Sequence, residues 1–271
     1  MNLRLPPLLA LLAAVALGML AAGCGGDLLP DPTQSGSATQ ARDYYPFAPQ
    51  GYVIHWESNS TITVEVPDCM TPFVTGCLPS FRQDVMDGIN AWAPVHSLLG
   101  LTVTIVSSSS SDDVRVIWDD GFGSSGYAVP SGVVGFAAIA QLPAAVSRFI
   151  VMTTQCNNCP GTPSHQDQEL RTITTHEWGH MLGVWSHSFD PADVMYPLET
   201  GQTGLTNRDV QTMLKAYSLA PDLDLSSLPP NAWTKASAAA GSSAATSYLI
   251  RCLHTLDDAP PTTLEFNPPG G

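Results

Sequence analysis

The pattern of hydrophobic and polar positions predicts strands and helices in alternation from about Tyr52 onward. Hydrophobic residues alternate with polar ones over 61–66, as they do in a half-buried strand. Over 80–96 they recur every three to four residues instead, which predicts a helix with Ser80 as its N-cap. The remaining predicted strands are 101–106, 114–118, 132–140 and 149–153, and the remaining predicted helices are 166–183 and 209–218. Thr206 and Asp209 resemble a capping box before the last helix, with Asp in place of Glu.

This order of elements favours an α+β fold. We expect a mixed, twisted sheet of about five strands backed by three main helices. Residues 24–45 are rich in Gly, Asp, Pro, Gln and Ser without periodicity, which indicates a flexible tether. Residues 220–271 form an Ala/Ser/Pro-rich tail, in which we expect a short helix near 247–253 and no chemistry.

The N-terminus resembles a secretory signal of the lipoprotein type. Residues 8–22 are almost wholly apolar and follow Arg4, but the run is too short for a comfortable membrane span. Small residues precede Cys24, as in a bacterial lipobox, so we expect residues 1–23 to be removed and Cys24 to be lipidated. The alternative is an ordinary signal with an incidental cysteine. The protein is thus expected on the cell envelope, at the outer membrane or cell surface, or secreted.

Export would place the remaining cysteines in an oxidising compartment. Cys69 and Cys77 enclose a short loop with two turn-forming residues, and we expect them to form a disulfide. Cys156 and Cys159 are followed by Pro-Gly, and without a second paired-cysteine motif they favour a small loop staple over a redox or zinc site. If Cys24 is lipidated, five cysteines remain. Cys252 is then either unpaired or competes with another cysteine for a disulfide partner.

Charge narrows the classes of partner. The chain has 24 acidic and 10 basic residues, a formal net charge of −14, which argues against binding to nucleic acid phosphates. Its hydrophobic content of 44% excludes an acidic disordered chain and predicts a packed core.

One motif carries the chemistry, and it spans 176–187 (His-Glu-Trp-Gly-His-Met-Leu-Gly-Val-Trp-Ser-His). His176 and His180 are four residues apart, which on a helix places both imidazoles on one face, as zinc ligands require. Gly183 stands where the chain must leave the helix, and glycine tolerates the positive φ of such a turn. His187 can then return as a third ligand. The motif specifies five positions, which makes chance pairing a poor alternative.

This motif resembles that of the metzincin zinc endopeptidases, and more narrowly that of the matrixins, the matrix-metalloprotease family. Ser188 is the residue typical of matrixins after the third histidine, and 190–197 resembles the Met-turn of the family. The resemblance implies that Met195 forms a hydrophobic floor beneath the imidazoles. It also implies a catalytic domain over 46–219, with a zinc cleft between an upper and a lower subdomain.

The sequence departs from the matrixin pattern at several places. The cysteine motif of the family's pro-segment is absent, and the loop that holds a second, structural zinc is not recognisable, so we expect one zinc ion. Asp119, Asp120 and Gly121 are a weak candidate for calcium, although a turn is the better interpretation. Glu199 follows Pro197-Leu198 where many matrixins have a tyrosine lining the specificity pocket, so family specificity is not carried over.

The resemblance implies hydrolysis of peptide bonds in extracellular or periplasmic proteins. Glu177 would take a proton from zinc-activated water and pass it to the leaving amine. Residues 133–140 offer an edge to which an extended polypeptide substrate can add as a strand, unless this segment is internal to the sheet. The segment before the domain is too short to fold as an inhibitory pro-domain, so activity is expected without activation. The alternative function is a catalytically silent, zinc-binding surface lipoprotein.

Overall fold

The computed structural model describes residues 44, 46, 48, 51–69, 74–127, 129–130, 132–141, 146–155, 167–231 and 247–255. Its helices are α1 (Phe81–Asn90), α2 (Ala93–Leu99), α3 (Asp167–Leu182) and α4 (Asn207–Tyr217). Its strands are β1 (Ile54–His55), β2 (Thr61–Glu65), β3 (Thr102–Val106), β4 (Val114–Asp119), β5 (Val133–Gln141), β6 (Val146–Thr153), β7 (Leu223–Asp224) and β8 (Ser247–Thr255). Among these residues, no helix is both long and apolar enough to cross a membrane.

Six of the strands form one mixed sheet in the order β3-β2-β4-β6-β5-β8. Neighbours among β2, β3, β4 and β6 run parallel, whereas β5 is antiparallel to both β6 and β8. The short strands β1 and β7 pair separately. The described residues therefore confirm the α+β class, with six strands in the main sheet and four helices in place of about five and three.

The single helix predicted over 80–96 is two helices. α1 ends at Asn90, and α2 begins at Ala93 with a proline in its first turn. Pro94 lacks an N–H, and its ring would clash with the carbonyl of residue 90, so a continuous helix is excluded. Ser80 occupies the predicted N-cap position, but its side chain makes no capping hydrogen bond.

α3 is held by close contacts with α1 and α2. A Cβ on Gly88 of α1 would lie 2.7 Å from the carbonyl oxygen of Arg171, so only glycine allows the two helices to approach this closely. The indole of Trp92 donates a 2.8 Å hydrogen bond to the carbonyl of Thr175. The indole of Trp178 donates to the Nε2 atom of His96 at 3.0 Å. These contacts fix the position of the helix that carries the histidine motif.

α4 has the predicted capping box and begins at Asn207, two residues before the predicted start. The Thr206 side chain accepts the amide of Asp209, and the Asp209 side chain accepts the amide of Thr206, which completes a capping box with Asp in place of the usual Glu.

Residues 220–231, which follow α4, pack on the rest of the fold. Arg148 is fully buried and donates to the carbonyls of Asp113, Leu225 and Pro229 at 2.7 to 2.9 Å. Asn231 is also buried, and its backbone amide donates a hydrogen bond to the carbonyl of Asp112.

The short helix expected near 247–253 is wrong, because these residues belong to strand β8. Its register joins Ile250 to Ile139, Arg251 to Ala138 and Cys252 to Ala137. Pairing with a distant strand decided the conformation, which local propensity does not reveal.

The predicted disulfide between Cys69 and Cys77 is confirmed. Cys252 is disulfide-bonded as well, so it is not the unpaired cysteine that the odd count allowed. Cys24, with the signal that precedes it, and the candidate pair Cys156 and Cys159 lie outside the described residues.

Candidate metal centre

The three histidines of the motif converge in the interior of the fold. His176 and His180 lie on the last two turns of α3, and His187 follows the end of that helix. One nitrogen of each ring lies within 4.8 Å of the others. His176 and His180 are fully buried, and His187 is 6% exposed. The structure therefore brings all three predicted ligands together.

Hydrogen bonds fix which nitrogens face the centre. The Nδ1 atom of His176 lies 2.8 Å from the carbonyl of Val194, and that of His180 lies 2.6 Å from the carbonyl of Val184. A carbonyl can only accept, so both Nδ1 atoms carry the proton. Backbone carbonyls orient metal-bound histidines in the same way in other proteins.

The remaining Nε2 atoms have the chemistry of a cation site. In the neutral rings both Nε2 atoms are acceptors, yet those of His176 and His180 lie only 3.0 Å apart. Two facing lone pairs repel each other unless a cation lies against both. Burial lowers the pKa of His176 to about 4 and that of His180 well below its usual value, so both rings are in the neutral form that binds metals. The donor set fits zinc.

Gly183 makes the turn that returns the chain to the centre. Its φ is 139°, and a Cβ there would lie 2.7 Å from the Cβ of His55. The amides of Gly183 and Val184 both donate to the carbonyl of Gly179. This turn brings the Val184 carbonyl back to the ring of His180.

Met195 packs directly against the motif helix. It is fully buried, and a Cβ on Gly179 would lie 2.3 Å from its sulfur and 2.8 Å from the Trp92 ring. Gly179 stands between His176 and His180 in the motif, so its missing side chain lets Met195 lie against this part of the helix.

Asp209 secures the segment that carries Met195. Besides capping α4, its carboxylate accepts the amides of Val194 and Met195 at 3.2 and 3.4 Å and the Tyr44 hydroxyl at 2.8 Å. The Val194 carbonyl in turn accepts a hydrogen bond from His176. The Asp209 carboxylate therefore supports the position of His176 indirectly, through Val194. The capping box made Asp209 visible in the sequence, but its contacts with the Met-turn had no sequence signal.

Asp193 fastens the same segment from the other side. Its carboxylate accepts from the Ser188 hydroxyl and from the Arg208 guanidinium, the latter at 2.6 Å. Ser188 also donates its amide to the carbonyl of Met195 at 2.8 Å. Ser188 marked the family resemblance, and the structure adds the ion pair that holds it.

Glu177 lies between α3 and β5. It is fully buried, which raises the pKa of its carboxyl well above the usual value, whereas a hydrogen bond from the Ala137 amide lowers it. Gly135 of β5 allows the strand to lie this close to α3, because a Cβ on Gly135 would lie 2.6 Å from the Ile173 side chain.

Glu199 lies near the N-terminal half of α3. Burial, with a smaller contribution from the nearby Glu169, raises the pKa of its carboxyl to about 7, although hydrogen bonds from Gly201 and Thr172 act in the opposite direction. Thr172 is one helical turn before His176. This acidic side chain therefore lies about one helical turn from His176 along α3.

The strand edge expected to receive a substrate is covered. β5 is an internal strand, because β8 pairs with the edge opposite β6. The Sγ atom of Cys252 on β8 lies 3.8 Å from the Nε2 atom of His187. The alternative, a strand internal to the sheet, is the one that the structure has.

The candidate calcium loop has the geometry of a turn. The Asp119 carboxylate accepts the amides of Gly121, Gly123 and Ser125 at 2.7 to 3.0 Å. These bonds order the loop through its own backbone.

Comparison with known proteins adds the family. The matrixin family model matches residues 39–218. This chain belongs to the matrixin family. Matrix metalloproteinase-16 of Homo sapiens is 28% identical to this matrixin over 148 residues, which cover 51% of the chain and 24% of the relative. Metalloendoproteinase 1-MMP of Arabidopsis thaliana is 43% identical over 63 residues, which cover 22% of the chain and 17% of the relative.

Proposed function

We propose that this matrixin is a zinc-dependent endopeptidase that hydrolyses peptide bonds of extracellular or periplasmic proteins. The observation that carries the proposal is the arrangement of His176 and His180, whose unprotonated Nε2 atoms face each other at 3.0 Å. The carboxylate of Glu177, the residue after His176, is buried on the same helix. His187 completes the ligand set. The family match and the relatives' printed names support the same class.

The residues divide the work between holding a metal and moving a proton. His176, His180 and His187 would hold one zinc ion, which when bound supplies a Lewis acid and a water of lowered pKa. Glu177 would accept a proton from the attacking water and pass it to the leaving nitrogen. The Ala137 amide lowers the pKa of the Glu177 carboxyl and so favours the ionised form that can accept this proton.

The substrate would bind in an extended conformation along β5. Backbone pairing with a strand accounts for recognition of many sequences, and side-chain pockets then add preference. The acidic Glu199 near α3 differs from the tyrosine of many matrixins, so cleavage preference has to be measured.

The alternative is a zinc-binding surface protein that does not cleave. One observation favours it: the three imidazoles are almost completely buried, as in a closed structural site. Glu177 argues against it, because a structural zinc site needs no buried carboxylate beside its ligands.

We further propose that the protein is exported and anchored through a lipidated Cys24. The support is the sequence of residues 1–24 alone. Mass spectrometry of the mature N-terminus tests the anchor, and an unmodified Cys24 would leave a secreted protein.

Zinc content and proteolysis together test the endopeptidase. We expect about one zinc per chain by elemental analysis and cleavage of an unstructured protein such as casein. A chelator should abolish cleavage and added zinc should restore it. A zinc-loaded chain that cleaves nothing, even when the edge of β5 is freed as described below, would favour the silent alternative.

A further inference from the structure

The C-terminal strand lies where a substrate strand would have to bind. β8 is nine residues long and pairs antiparallel with β5 over almost its whole length. We propose that β8 occupies the substrate-strand position, so that peptides compete with the chain's own C-terminal segment for the edge of β5. The inference rests on the proposed endopeptidase function.

The register places the middle of β8 at the metal centre. Cys252 pairs with Ala137, two residues after Gly135, where a Cβ would lie 3.6 Å from the Glu177 side chain. Its sulfur lies 3.8 Å from His187 Nε2. A peptide paired with β5 in this region would need the space that Cys252 now fills.

Burial of the centre gives independent support. His176, Glu177 and His180 have no exposed surface, and Cys252 beside them has none either. Within the part of the chain that the structure describes, the proposed base and two of the ligands are thus sealed from solvent, and His187 is only 6% exposed. A substrate can reach them only after a covering element moves. β8 is a covering element that is held at a sheet edge by strand pairing and, through Cys252, by a disulfide.

Competition from within the chain is strong. A tethered segment presents an effective concentration on the order of mM, far above that of a protein substrate in solution. β8 therefore reduces the fraction of molecules with a free β5 edge, and the apparent affinity for substrate falls by that fraction. Latency thus comes from the C-terminal side, whereas the sequence predicted activity without activation from the short N-terminal segment.

Proline substitutions in β8 test the competition in the full chain. Neighbouring residues of a strand direct their N–H groups to opposite edges. One of the two variants Ile250→Pro and Arg251→Pro therefore removes a hydrogen bond to β5, whereas the other removes an N–H on the opposite edge. Ile250→Val and Arg251→Lys are the matched controls. We expect the more disruptive proline to raise kcat/KM on casein-derived peptides at least about fivefold, mainly through KM, with zinc content unchanged. The controls should match the parent within about twofold.

Two measurements independent of catalysis protect the test against a variant that misfolds. Hydrogen exchange in peptides covering 133–141 should accelerate in the proline variants and not in the controls. A synthetic peptide of residues 247–255, with serine at the position of Cys252, should slow that exchange and compete with substrate. The parent chain should bind this peptide at least about tenfold more weakly than the proline variants do.

The outcomes separate the two proposals. A folded, zinc-containing proline variant with accelerated exchange at β5 but the parent's kcat/KM would overturn the competition. Accelerated exchange and peptide binding without any proteolysis would support the place of β8 and count against the endopeptidase instead. Unchanged exchange in both folded proline variants would show that β8 does not control the edge.

Discussion

Two regions of the molecule are encoded in the sequence in different ways. One is α3 with the loop that follows it to His187, and the other is the pair of strands β5 and β8. The three histidines fall within twelve consecutive residues, and the turn at Gly183 brings the third to the other two. The β5–β8 pair joins Val133–Gln141 to Ser247–Thr255, which are separated by more than a hundred residues. The first region holds the candidate metal ligands, and the second is the one that we propose governs access to them.

The difference shows how activity and its control can be separated in one chain. Ligand spacing is a local property, so it survives in the sequence as a motif. Strand pairing across a long separation depends on the partner, so a tail rich in Ala, Ser and Pro concealed a strand that reaches the metal centre. The predictions below test whether the two regions act independently.

Loss of a helix ligand should have the largest effect. In His176→Ala or His180→Ala, zinc content should fall well below one per chain and proteolysis should be lost with it. The decrease in zinc affinity should exceed the roughly 10- to 100-fold that loss of a residue supporting a ligand causes. His187→Ala should act likewise but less completely, because its loop is more adaptable than α3.

His96→Gln is the matched control, since His96 is buried on α2 but lies outside the ligand set. Elemental analysis and casein cleavage provide the measurements. Full zinc content in His176→Ala and His180→Ala would refute the ligand assignment, and loss of zinc in His96→Gln would make the effect one of general stability.

Gly179→Ala should destabilise the fold although alanine favours helices. The new methyl group would meet the Met195 sulfur and the Trp92 ring, and overpacking of this kind costs about 1–3 kcal/mol against a gain of about 1 kcal/mol in helix propensity. We expect a net loss of up to about 2 kcal/mol in the free energy of unfolding.

The control for this change is Gly204→Ala, because a Cβ at Gly204 meets no atom within 4 Å. Urea unfolding of both variants decides the matter. Equal stabilities would mean that Met195 does not pack closely against the motif helix.

The sequence predicted the helices and the three histidines better than the hydrogen bonds that hold the surrounding segments in place. α3 and the capping box of α4 came from periodicity and short-range side-chain chemistry, which are local. The Asp209 bonds to Val194 and Met195 join different segments, and no spacing rule announces them. The break before α2 was open to prediction, since Pro94 is in the sequence and its effect on a helix is known.

Glu199→Gln should have the smallest effect, and it should depend on pH. A folded-state pKa of about 7, raised from 4.5, means that the native protein holds this proton more tightly than the unfolded chain. The stabilisation is complete below about pH 4.5 and is lost as pH rises through 7. Glutamine cannot ionise, so it should stabilise the protein relative to the parent more at pH 8 than at pH 5. The pKa shift corresponds to about 2.5 kcal/mol over this range, and solvent screening of this partly exposed side chain reduces the expected difference to roughly 1 kcal/mol.

Urea unfolding at the two pH values measures this difference, with the exposed Glu57→Gln as control. A pH-independent difference between the parent and Glu199→Gln would show that this carboxyl is solvated, and that the region beside α3 is more open than its burial indicates.

The most direct test of the account is the cleavage rate of Glu177→Gln at measured zinc content. The substitution nearly preserves size and leaves the three imidazoles in place, so zinc should remain near one per chain. The amide cannot accept the proton, so the rate should fall by about 10²–10⁴, both in the parent and in the faster β8 proline variant. A zinc-loaded Glu177→Gln that cleaves casein at the parent rate would contradict the assignment of Glu177 as the base.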